Sequence, residues 1–231
     1  SSGPSTRMAL KSDGSLWVWG NKYSFTRGMY GGNAPSPIEY PPTIGKKVTG
    51  FAVGSNMILY QLADGSVWTK GHSADSVKIL DEGVRIQAFD GSRYYGDYFT
   101  ILRNGGALWG YLVGSQFGEE NKPSDPSSAQ PLISNVRTVV SNYAGTFVLK
   151  TDYSLHASGN NWNGGVLGLG SDAAVSSLTH VTDNVRVMSI DGPALVVKRD
   201  GTLWAAGMND RGQFGAATPT SSNILVHIPL P

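Results

Sequence analysis

The side chains that could do chemistry are few and scattered. Four histidines, His72, His156, His180 and His227, show no metal-ligand spacing, and each reads as isolated from the others in its repeat. Each therefore reads as a packing or surface residue. Asp90 and Asp97 flank a short loop and could form a carboxylate pair or a calcium site, although solvated loop charges fit the same pattern. Gly164, Gly165, Gly168 and Gly170 make a glycine-rich stretch without the strand-then-helix context of a phosphate cradle. No nucleophile elbow, P-loop or paired-histidine zinc motif occurs, and cysteine is absent, which removes thiol nucleophiles, thiolate metal sites and disulfides. The expectation is a chain with no catalytic residues, no metal and no cofactor.

Recognition chemistry is better represented. Tyr23 and Phe25, then Arg93, Tyr94, Tyr95 and Tyr98, then Tyr143, Trp162 and Arg211 lie in segments otherwise rich in Ser, Gly and Asn. Rigid rings among small polar residues, with an occasional arginine, have the composition of a recognition surface. The candidate binding set is Tyr23, Arg93, Tyr94, Tyr95, Tyr143, Trp162 and Arg211, with Tyr95 and Trp162 as exposed anchors. The competing reading is that some of these rings fold back to staple loops or plug a central channel.

The elements that must position these residues are visible as an internal repeat. Met8 to Gly20 recurs in altered form at Ile58 to Gly71, Thr100 to Tyr111, Phe147 to Gly159 and Leu195 to Gly207. The turn residues Asp13, Asp64, Asn104, Asp152 and Asp200 are 51, 40, 48 and 48 positions apart, in the range of propeller blades. Each copy reads as a β-hairpin around an Asp-Gly type dipeptide, for which a type I′ turn is expected. Tyr153 replaces the turn glycine in the fourth copy, which predicts a longer, strained or different turn there. His156 takes the place that Trp17, Trp68, Trp109 and Trp204 hold in the other copies. Along Leu16-Trp17-Val18-Trp19 both strand faces are apolar, as suits a sheet stacked between two others.

Short apolar runs precede the later hairpins, at Val48–Val53, Val84–Phe89, Val136–Val140 and Val185–Ile190. After the hairpins come Asn209-Asp-Arg-Gly-Gln-Phe-Gly215, Asn160-Asn-Trp-Asn-Gly-Gly-Val-Leu-Gly168 and a degraded form at Asn21–Gly28. An apolar strand, a hairpin of form Leu-Lys-x-Asp-Gly-x-Leu-Trp-x-x-Gly and an Asn-x-x-Gly-Gln-Phe-Gly segment together resemble the repeat of the regulator of chromosome condensation family. The style of the repeats resembles the bacterial members, including the propeller-type β-lactamase inhibitory proteins. The resemblance implies a β-propeller of four-stranded antiparallel blades around a channel, and function through protein partners.

The chain has material for five blades, with repeats at 5–46, 47–83, 84–135, 136–184 and 185–231 in one all-β domain. A fragment of a seven-bladed propeller is the alternative, for which Ser1-Ser-Gly-Pro-Ser5 resembles a processed start. Because no apolar strand precedes the first hairpin, the tail Asn223–Pro231 is expected to supply it, closing the ring and hiding two sheet edges. The segment Gly71–Gly83 is short enough to leave its blade without a regular outer strand.

Composition sets further bounds. Glycine contributes 30 of 231 residues, nearly twice the average of about 7%, as a chain rich in turns requires. A formal net charge of +1 gives no field suited to nucleic acid or an anionic membrane. There is no run of 18 or more apolar residues, so membrane insertion is not expected. The function expected is a non-catalytic protein-binding module using its aromatic loop face, inhibitor-like or adhesive, secreted or on a cell surface. A carbohydrate-binding module is the alternative, since Tyr and Trp with Asn and Asp donors also suit glycans.

Overall fold

The computed structural model describes residues 6–20, 36–38, 45–53, 57–71, 76–82, 85–90, 97–113, 130–141, 144–215 and 221–229. They form five antiparallel sheets, each within one repeat. The first has three strands, β1 (Thr6–Leu10), β2 (Leu16–Gly20) and β3 (Ser36–Ile38). The second has β4 (Val48–Val53), β5 (Met57–Leu62), β6 (Val67–Gly71) and β7 (Val77–Leu80). The third has β8 (Arg85–Asp90), β9 (Asp97–Leu102), β10 (Leu108–Val113) and β11 (Gln130–Ile133). In the fourth are β12 (Val136–Ser141), β13 (Thr146–Lys150), β14 (Leu155–Gly159) and β15 (Val175–Thr182). The fifth contains β16 (Val185–Ile190), β17 (Ala194–Lys198), β18 (Leu203–Met208) and β19 (Ser221–Ile228). Strands run in sequence order across every sheet, so each is an up-and-down meander. No helix among the described residues is long and apolar enough to cross a membrane.

The chain divides into two compact units, the first three sheets in one and the last two in the other, with the boundary near the end of β11. Two-faced strands explain the cores. In β5, Ile58, Tyr60 and Leu62 pack with Met8 and Leu16 of the first sheet, while Leu59 packs with Phe99 and Ile101 of the third. Alternation along one strand thus fills two intersheet layers. In the other unit Phe147, Leu149, Leu155 and Ala157 of the fourth sheet meet Val185, Met188, Ala194 and Val196 of the fifth. All of these are less than a tenth exposed.

The hairpin turns depart from the expected type I′ geometry. Only the glycine has positive φ: Gly14 and Gly65 at 86° and Gly201 at 89°, while the aspartates before them do not. Gly14 N donates to Lys11 O at 2.9 Å and Lys11 N to Ser15 O at 2.9 Å, which is a type I turn closed by a one-residue bulge. The aspartate side chain is the reason, because it folds forward to accept the amide two residues on. Tyr153 forms the same bonds, with Tyr153 N to Lys150 O at 3.0 Å, and does so at φ 67°. It is neither longer nor of another type; the strain expected there is what the structure shows.

Two further expectations are overturned. The tail does not complete the first sheet: β19 pairs with β18 from Leu203↔Ile228 to Met208↔Ser221, covering the edge its own sheet would otherwise leave open. The first sheet keeps three strands among the described residues. The short segment after Gly71 does make an outer strand, β7, paired with β6 through Thr69↔Val77 and Val67↔Leu80 across an irregularity.

Candidate functional site

Strand alternation puts the first and third connections of each four-stranded sheet at one end and the turn of its central hairpin at the other. In the second unit the loop end is held from beneath by asparagines. Asn161, 1% exposed and left-handed at φ 55°, donates from Nδ2 to the carbonyls of Ser171 (2.5 Å) and Ala173 (3.1 Å). Its Oδ1 accepts Leu167 N at 2.8 Å. The bonded loop contains a single helical turn, α1 (Trp162–Gly165), which packs on β18 and β19. The glycine-rich stretch makes this approach feasible. A Cβ on Gly165 would lie 2.3 Å from Asn223 Cβ, and one on Gly164 would lie 3.1 Å from Ser221 Cβ. Beyond them Val166 and Leu167 enter the core between the fourth and fifth sheets, and Gly170 N donates to Asn223 O at 2.7 Å.

The loop between β18 and β19 repeats the device. Asn209 Oδ1 accepts Phe214 N at 2.6 Å, and Phe214, 1% exposed, sits on Ala205 and Ile228. Gln213 Oε1 accepts Arg211 N at 3.0 Å and Gln213 Nε2 donates to Asp210 Oδ1 at 3.3 Å. Asp210, Arg211 and Gln213 are therefore exposed on a braced turn. Of the candidate binding residues, Arg211 stands exposed here and Trp162 opens α1. Tyr23, Arg93, Tyr94, Tyr95 and Tyr143 lie outside the described residues, as does Phe25.

The turn end holds chemistry that the sequence analysis passed over. In three sheets an indole Nε1 donates to a hydroxyl that in turn donates to the turn aspartate: Trp17 to Ser15 to Asp13, Trp68 to Ser66 to Asp64, and Trp204 to Thr202 to Asp200. The same aspartate oxygen accepts the amide of the hydroxyl residue, at 2.8, 3.0 and 2.9 Å. These bonds, the hydroxyl first, lower the carboxyl pKa of Asp13 and Asp64 to about 2, and lower those of Asp152 and Asp200. A signal was present in the sequence, a Ser or Thr two residues after each aspartate. Cations cover the rings, with Lys11 over Trp17 at 5.2 Å, Arg103 over Trp109 at 5.0 Å and Lys198 over Trp204 at 4.8 Å.

The fourth sheet departs from this pattern twice. His156 is registered opposite His180, their rings 5.5 Å apart and edge-on, so these two histidines are not isolated. Ser154 Oγ lies 3.3 Å from His156 Nε2, and His180 Nε2 lies 2.9 Å from Asp183 Oδ1. Ser154 is 7% exposed and already donates to Asp152 at 2.6 Å, which makes it a poor nucleophile. The second departure is Tyr153, whose ring has the guanidinium carbons of Arg199 and Arg137 at 4.3 and 5.2 Å. Asp90 and Asp97 are direct register partners across β8 and β9. No group of three or more His, Asp or Glu suited to a metal occurs among the described residues.

No protein-family model and no curated protein sequence matches the chain. Solved structures do. Human WBSCR16 superposes with a TM-score of 0.67 at 14% identity, over 99% of this chain and 66% of its own. Prp20p of Saccharomyces cerevisiae superposes with a TM-score of 0.68 at 18% identity, over 97% of this chain and 62% of its own, and a second structure of yeast RCC1 (Prp20) gives the same values. The chain thus spans less than two thirds of the length of these proteins. The five sheets are blades of a β-propeller. The solved structures named share that fold at 14–18% identity.

Proposed function

We propose that the chain is a non-catalytic protein-binding module whose contact surface is the loop end of the blades. The observation that carries this reading is the pair of buried asparagines, Asn161 and Asn209, which hold long connections as rigid ledges and leave Arg211 projecting from one of them. Preorganised loops lose little entropy on association, which is what a binding face requires. Tyr23, Arg93, Tyr94, Tyr95, Tyr143 and Trp162 are the other proposed contact residues, chosen from the sequence of the connections in their own repeats. Relatives in fold support a protein partner: Prp20p has binding properties toward Gsp1p and histones, and Kap60 is bound to yeast RCC1. A net charge of +1 favours a partner other than nucleic acid. The style of the repeats supports a bacterial, secreted or surface-exposed module of inhibitor-like or adhesive character.

The test is affinity capture with the intact chain beside a Trp162→Ala, Tyr94→Ala, Tyr95→Ala variant of unchanged fold. A protein held by the first and lost by the second, then shown to bind when purified, supports the reading. Equal retention by both, or a glycan as the retained ligand, overturns it.

A further inference from the structure

We propose that Arg137, Tyr153 and Arg199 form a clamp for an acidic peptide segment of a partner, at the turn end of the second unit. The inference goes beyond the loop face and does not depend on it. It starts from a position where the cheap residue is absent. Gly14, Gly65 and Gly201 occupy the same turn position at φ 86–89°, where glycine is free of strain, and Tyr153 holds φ 67° at a cost. Its carbonyl is fixed by Val185 N at 2.9 Å, the bond that Gly14 O makes to Val48 N at 3.2 Å. The backbone job is therefore done equally well by glycine, and the ring must be justified by what surrounds it.

Two guanidinium groups surround it. Arg137 comes from β12, the first strand of the fourth blade, and Arg199 follows β17 in the fifth. Lys11 over Trp17 and Arg103 over Trp109 each also have an anion, Asp13 at 3.4 Å and Glu82 at 2.9 Å, while Lys198 over Trp204 forms no ion pair among the described residues. Neither Arg137 nor Arg199 forms an ion pair among the described residues. The carboxylates of neighbouring segments are committed: Asp152 to Ser154 and Lys150, Asp200 to Thr202, Asp183 to His180. Both arginines are exposed, and a guanidinium over a ring face still has N–H donors to offer an outside acceptor. Two forks carried on two blades on one ring suit two carboxylates. An extended segment with acidic side chains at alternate positions presents its carboxylates on one face, and guanidinium forks pair with carboxylates bidentately.

The probe is a capped hexaglutamate peptide titrated into the full chain, followed by the Arg Nε–Hε and Tyr ring signals in NMR and by calorimetry, with hexaglutamine and inorganic phosphate alongside. Saturable binding is expected, weakened at least tenfold in Arg137→Gln with Arg199→Gln and in Tyr153→Gly, with no binding of hexaglutamine. Tyr153→Gly should leave Tm unchanged or raised, since glycine suits the turn. The proposal is overturned if the peptide does not bind, if the variants bind it as well as the native chain, or if phosphate displaces it at equal concentration. A fall of several degrees in Tm for Tyr153→Gly would also overturn it, since the ring and its arginines would then serve the fold.

Discussion

A serine two residues past the turn aspartate decides how that turn behaves in acid. Ser66 donates both its hydroxyl and its amide to Asp64 and accepts the Trp68 indole, so Ser66→Ala removes the largest contribution lowering the Asp64 pKa. Carboxyl NMR titration should find the native midpoint near 2 and the variant displaced toward 3.8. A depressed carboxyl stabilises the fold above its unfolded value and ceases to as pH falls toward the folded one, so native stability drops between about pH 4 and 2. The variant loses that component. His156 works in the opposite range. Burial, with Lys150 and His180 nearby, holds it below the imidazole value of 6.5, so unfolding takes up a proton and stability falls as pH drops below 6.5. Trp204 already stands opposite His227 in the fifth blade at a ring separation of 5.4 Å, so His156→Trp should be accepted opposite His180. Melting temperatures at pH 7 and pH 5 should differ less in the variant than in the native chain. The aspartates were plain in the sequence as turn formers, whereas the histidine pair was not, because its partners are 24 residues apart and meet only through the β14–β15 register.

Among the elements, hairpins were the most legible and connections the least. A hairpin is local, and the two-faced apolar pattern of β5 already says that it lies between two sheets. The bulged turn was misjudged because Asp-Gly alone does not reveal whether the aspartate side chain turns back on the backbone; the following Ser or Thr does. The tail was misassigned for a different reason: an edge can be covered by any strand in reach, and β18 is nearer in sequence to β19 than the first sheet is. The loop of α1 shows what connections hide. Its asparagine is a polar residue in the core, with three hydrogen bonds that only the folded loop supplies. Asn161→Ala leaves Leu167 N and two carbonyls unpaired and forces alanine into a left-handed backbone, so a loss of about 3 kcal/mol is expected in denaturant unfolding. Hydrogen exchange at Leu167 N should rise with it. Gly165→Ala should be similarly costly, since its Cβ would meet backbone and Cβ of Asn223 within 2.7 Å.

For the molecule as a whole, the repeat placed five blades correctly, while the surfaces that distinguish the chain lie where the repeat fails. Tyr153 and His156 are departures from their own columns, and a consensus reading treats departures as decay. Topology makes them informative, because the turn end of a blade is one strand length from the loop end. At about 3.3 Å per residue, strands of five or six residues put roughly 17–20 Å between Tyr153 and the ledge that carries Arg211. Charges that far apart across a folded blade are screened beyond the Debye length of about 8–10 Å, and no side chain spans the gap. The two proposed surfaces should therefore respond separately. Tyr153→Gly should weaken hexaglutamate binding at least tenfold and leave capture of the loop-face partner intact, while Arg211→Ala should weaken that capture and leave hexaglutamate binding within twofold. Calorimetry on both variants with both ligands decides the matter. Loss of both ligands in one variant, with Tm unchanged, would mean a single surface rather than two.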